Sequence, residues 1–214
     1  MTSPRSRVSW LVAYGVAMGF LEAAVVVYLR ELYYPGGFLF PVAPMPARVA
    51  LVEVAREAAT LLMLLSVAFL AGRGAWDRFF VFGFLFGVWD LVYYAGLRIV
   101  LGWPESLFTW DLLFLIPVPW LAPVFYPVLV SFLLIVGFAT HERLASRGRE
   151  LRPTTGGLLI ASAGALAIVV SFCWRFRDVI EERVPGSFPG WMFWPGLAVA
   201  TLPFVLATRR ALRR

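Results

Sequence analysis

The sequence predicts an all-α, polytopic membrane helix bundle of about six transmembrane helices, with one proline-broken or re-entrant segment and a duplicated helical hairpin. Three observations predict it. The 214 residues are 61% apolar and only 15% charged, where an ordinary soluble domain is about half apolar and about a quarter charged. Six apolar runs lie near the roughly 20 residues that a helix needs to cross a bilayer. The arginines between those runs favour alternate connections, as they do in a chain that threads a membrane repeatedly.

The first run, 8–29, follows Arg5 and Arg7 and contains Glu22. A secretory signal begins in the same way, but this run continues to Leu29 without a polar segment behind it and reads as a retained helix. The second, 49–71, opens on Glu53, Arg56 and Glu57, and the third, 79–97, carries Asp90 and Tyr94. The fourth, 112–139, is irregular because it holds Pro117, Pro119, Pro123 and Pro127. Proline inside a helix removes a hydrogen bond and clashes with the preceding turn. The segment reads either as a re-entrant or half-helix packed in protein before a span from about Trp120, or as a single kinked helix. The fifth and sixth runs, 158–174 and 191–208, carry no acid. One domain, 1–214, takes in all six.

Every one of the 19 basic residues is arginine. Twelve lie on the side of the N-terminus and six on the other, with Arg56 inside a span. This bias places both termini in the cytoplasm and the chain in a cell membrane, of the bacterial inner-membrane kind. The net charge of +6 is scattered between apolar spans rather than gathered in one patch, so no nucleic-acid partner is expected.

Two spans share a pattern. Gly15-x-x-x-Gly19-x-x-Glu22 leads to Leu29-Arg30, and Gly83-x-x-x-Gly87-x-x-Asp90 leads to Leu97-Arg98, at a constant offset of 68 residues. Pro41-Val42-Ala43-Pro44 precedes the second span as Pro117-Val118-Pro119-Trp120 opens the fourth. Glycines four apart let helix backbones approach closely, and an acid three residues on shares their face.

The acids are the informative residues. A carboxylate in hydrocarbon costs several kcal/mol unless it is protonated, paired or facing a polar cavity. Glu22, Glu57 and Asp90 lie seven, eight and seven residues inward of Leu29, Val49 and Leu97, a depth of about 10–12 Å at 1.5 Å per residue. With Glu53, Arg56 and Tyr94 they form the candidate polar site, in the outer half of the bilayer. Four acids and one arginine leave negative charge to be met by protons or a cation. Arg30, Arg98, Trp103, Trp110 and Asp111 are expected at the outer interface, where aromatics form a belt and arginines reach lipid phosphates or water.

Much chemistry is excluded. Cys173 is the only cysteine and His141 the only histidine, which leaves no disulfide, no bis-histidine haem and no His-rich zinc or di-iron centre. No metal or cofactor is expected. An oxygen-only site suits protons or hard cations. His141, beside Glu142 and Arg143, reads as a solvated loop residue. No G-x-S-x-G, H-E-x-x-H, P-loop or G-x-G-x-x-G motif occurs in a fitting context, and no catalytic residue is assigned. Trp89-Asp90-Leu91, Trp110-Asp111-Leu112 and Trp103-Pro104-Glu105 resemble parts of the small membrane lycopene cyclases, but that family's Pro-x-Glu-Glu run is absent and no activity is carried over. Three functional classes remain: proton- or cation-linked transport; a non-catalytic subunit or assembly factor of a larger membrane complex, with other membrane subunits as partners; and an intramembrane acid-catalysed enzyme acting on a lipid. Membrane lipids are a partner in each.

Overall fold

Long apolar runs without breakers fold as helices because, in lipid, only a helix satisfies its own backbone polar groups. A computed structural model describes residues 4–43 and 45–213. Pro44 and Arg214, both used above, lie outside them, as does the side chain of Arg5. The elements run α1 (Pro4–Tyr33), α2 (Ala47–Ala71), α3 (Ala75–Leu101), β1 (Trp110–Phe114), β2 (Trp120–Pro123), α4 (Phe125–Ala145), α5 (Thr155–Cys173), the short α6 (Phe176–Ile180) and α7 (Gly190–Arg213). Six helices are long and apolar enough to cross a membrane, the fifth of these spans running from Thr155 to Ile180. Most extend past the apolar run that announces them, since polar ends remain helical once the middle is fixed.

α3 is the central helix, buried along most of its circumference from Phe80 to Leu97. It packs along α1 on one side and α4 on the other, and α2 leans on it. Glycine sets both close crossings. A Cβ on Gly19 would fall 2.6 Å from the Trp89 carbonyl oxygen, and one on Gly87 would fall 2.5 Å from that of Ser131. The two Gly-x-x-x-Gly faces therefore do different jobs: Gly15 and Gly19 seat α1 on α3, and Gly83 and Gly87 seat α3 on α4. α5 and α7 pair with each other through small residues at Gly164, Gly196 and Ala200.

The fourth run departs from both of the helical forms expected of it. Its first part is neither a half-helix nor the start of a kinked helix, and α4 begins only at Phe125. Instead β1 and β2 pair as an antiparallel hairpin, with Asp111 opposite Ala122 and Leu112 opposite Leu121. The prolines forbid the helix, while Trp110–Phe114 and Trp120–Ala122 retain enough amide groups to pair with each other. Gly102, left-handed at φ 66°, closes α3 and turns the chain toward this hairpin.

At one end of the bundle Arg7 of α1 pairs with Asp77 of α3 at 2.8 Å and with Glu142 of α4 at 3.2 Å. His141 joins this network. Far from being solvated in a loop, it lies in α4, only 8% exposed, stacked on Phe80 at 4.5 Å with Nε2 3.3 Å from Asp77. The Arg149 guanidinium donates to the Leu212 carbonyl near the end of α7, so the first and last long helices share this end.

Candidate functional site

The buried stripe of α2 is Glu53, Glu57, Thr60, Leu64 and Ala68, the spacing of one helical face. Its first two members are acids, so the face that packs the helix also delivers carboxylates to the interior. Glu22 of α1 and Asp90 of α3, each three residues beyond its glycine pair, arrive from the opposite side. Glu22, Glu53, Arg56, Glu57, Asp90 and Tyr94 all line one cavity of about 480 Å³.

Arg56 joins α2 to α1. It pairs with Glu53 at 2.8 Å and with Glu22 Oε1. The Thr60 hydroxyl donates to the other Glu22 oxygen at 3.2 Å. Glu57 is held differently: the backbone N–H of Leu115, at the hairpin tip, donates to its two oxygens at 2.8 and 3.1 Å. Glu57 lies ten residues into α2, about 15 Å along it, so the hairpin reaches deep among the helices. Asp90 accepts from the Ser131 hydroxyl at 2.8 Å. Among the described residues neither Glu57 nor Asp90 has an ion-pair partner.

Two residues expected at the outer interface belong to this cavity. Arg30 and Asp111 are 6% and 1% exposed, line it, and pair at 3.1 Å. They move inward because the hairpin carries Asp111 back toward α1, where a lone guanidinium or carboxylate would be costly. The Tyr94 hydroxyl donates to the second Asp111 oxygen at 3.1 Å. Burial pushes the Asp111 carboxyl up, and the Arg30 guanidinium opposes this. Phe38 and Trp103, edge to face with each other, both pack against Arg30, at 4.4 and 3.5 Å from the guanidinium carbon to the ring centres. Trp103 is itself buried. Arg98 is exposed and donates to the Gly102 and Pro104 carbonyls, and Trp110 lies half-buried beside Phe188. The repeat thus diverges at its arginines: one enters the interior, the other caps its own helix end.

Five carboxyls and two guanidiniums line the cavity; the rest of the wall is largely aliphatic and aromatic, including Phe82, Phe86, Leu134, Ile168 and Phe172. Sequence reasoning singled out Asp111 and Arg30 but set them at the outer interface, and it missed Ser131, Thr60 and the Leu115 amide. Those three carried no signal that separates them from ordinary residues.

Elsewhere, a groove of about 370 Å³ between α1 and α2 is lined by Arg7, Arg73, Trp10 and apolar residues. Near it, ligand atoms of Asp77, His141 and Glu142 lie within 4.8 Å of one another, but Arg7 already pairs with both acids and occupies the place a cation would take. Compared with family models, curated proteins and solved structures, the chain matches none. Fold and cavity define a class: a helical membrane protein with carboxylates gathered inside the bundle.

Proposed function

We propose that this protein binds an amphipathic, membrane-soluble molecule in the cavity and couples that binding to proton movement through Glu57 and Asp90. The observation that carries the reading is the mixed lining of the cavity, charged side chains set in a larger apolar and aromatic wall. A bare cation would need only the charged groups. The volume lies within the roughly 300–1,000 Å³ of small-molecule pockets, and a lipid-soluble chain would cover the apolar wall. The Arg bias supports a cell membrane of the bacterial inner-membrane kind with cytoplasmic termini, which puts the charged groups in the outer half of the bilayer and makes the hairpin re-entrant.

The test is retention. Full-length protein purified in mild detergent should carry a lipid-soluble molecule in near-stoichiometric amount, detectable by mass spectrometry of an organic extract. Ala165→Trp, which fills the apolar wall, should lose it. Protein that retains nothing in either form contradicts the reading.

Coupled proton movement is favoured by the absence of a cation partner for Glu57 and Asp90, the two carboxyls left to carry protons. In proteoliposomes, decay of an imposed pH gradient should quicken when the retained molecule is added, and Asp90→Asn should abolish the increase. Membrane lipids are the second partner in this reading. The groove holding Arg73 and Trp10 suits a phospholipid phosphate, and Arg73→Gln should lower retention of phosphatidylglycerol relative to phosphatidylcholine about three-fold. Equal retention in both proteins would count against it.

A further inference from the structure

The charged side chains of the cavity look built for a cation, but each carboxyl already accepts at least one hydrogen bond. Glu22 and Glu53 hold Arg56, Asp111 holds Arg30, Glu57 takes the Leu115 amide and Asp90 takes Ser131. What the cavity lacks is the opposite kind of group. Among the described residues, three that line it have a buried side-chain polar atom with no partner, and each such atom is a donor: Arg30 Nη1, Trp89 Nε1 and Trp120 Nε1. Arg30 and Trp89 are 6% and 4% exposed.

Buried donors without acceptors are rare and costly. Two of these three cannot easily be satisfied by rearrangement. The rings of Phe38 and Trp103 pack against the Arg30 guanidinium at nearly right angles to each other, and Asp111 takes Nη2. Nη1 is left for an acceptor. Trp89 is fixed by ring contacts with Phe86, Tyr93 and Phe114, and Phe114 in turn meets Trp120 at 5.4 Å. Both indoles therefore contact the same phenyl ring.

Resting on the cavity reading above, we infer that the bound molecule carries an uncharged oxygen-acceptor head, of the ketone, quinone or ester class, which takes the hydrogen bonds of Arg30, Trp89 and Trp120. An amine head would bring further donors to three that already lack an acceptor. A phosphate would find Arg30 already shared with Asp111, in a lining with more acids than arginines. Carbonyl oxygens supply acceptors without adding charge, and their proton partners, Glu57 and Asp90, line the same cavity.

The experiment compares three probes by native mass spectrometry of the full-length protein: dioctanoylglycerol, dioctanoyl phosphatidic acid and dodecylamine. Dioctanoylglycerol should bind best. Trp89→Phe and Trp120→Phe should each weaken it about five-fold, the value of one net hydrogen bond. Each should leave the melting temperature of ligand-free protein unchanged or higher, since the change removes a buried donor that lacked a partner. Preference for dodecylamine or phosphatidic acid overturns the head-group assignment and leaves the cavity reading standing. Unaltered dioctanoylglycerol binding in both tryptophan variants overturns it as well. Failure of all three probes to bind removes this inference together with the cavity reading.

Discussion

Arg56 and Asp90 both touch the cavity, yet they answer to different physics. Arg56 bridges two helices and is the cation for two buried acids. Removing one partner from such a cluster leaves uncompensated charge, at a cost of about 3–5 kcal/mol in a buried pair and less here because Arg56 is one-fifth exposed. Arg56→Gln should therefore lower thermal stability markedly. Asp90→Asn should not, because the amide oxygen still accepts from Ser131 and no charge partner is lost. Thermal melts of the two proteins in one detergent check the order; an Asp90→Asn protein less stable than Arg56→Gln would refute it. Legibility at this scale followed sequence distance. The Glu53–Arg56 pair could be read from its spacing. The Arg30–Asp111 pair spans 81 residues and the His141–Asp77 contact 64, and a histidine flanked by glutamate and arginine gives no hint of a phenyl ring and an aspartate from another helix.

The helices were readable because apolar length decides them: a run near 20 residues has one stable form in lipid. The hairpin was not, since four prolines state what the segment avoids and leave open what it adopts. Its position depends on Glu57, whose carboxylate receives the Leu115 amide. Glu57→Leu removes that acceptor and should loosen the tip while the six helices persist. Hydrogen exchange of residues 112–119 should rise by about ten-fold, the effect of losing about 1.4 kcal/mol, and unchanged exchange would show that the hairpin is held otherwise. The repeated glycines make a second case. Gly87→Val would press a branched side chain into the Ser131 carbonyl, 2.5 Å from the ideal Cβ position. The displacement of α4 should cost about 1–3 kcal/mol and carry Ser131 away from Asp90. At Gly137, where a Cβ would lie 3.7 Å from Phe80, Ala should be tolerated.

For the molecule as a whole, the arrangement stands on one even count. Six crossings return the chain to the side on which it began, and the Arg7–Asp77–Glu142 network, with the Arg149–Leu212 contact, gathers the starts of α1 and α3 and the ends of α4 and α7 at one end. Under the proposed cytoplasmic placement of that arginine-rich end, Gly36, between α1 and α2, should face outward, and Arg147, between α4 and α5, inward. In a Cys173→Ser background, Gly36→Cys should react with a membrane-impermeant thiol reagent in intact cells, and Arg147→Cys only after permeabilisation. Labelling of both from outside, or of neither, would mean an even number of crossings between them instead of the three of α2, α3 and α4, and would separate the ends that the Arg7 network joins. Reversed labelling would keep the fold but place the charged groups at the inner face, where a carboxyl at Asp90 would exchange protons with the cytoplasm.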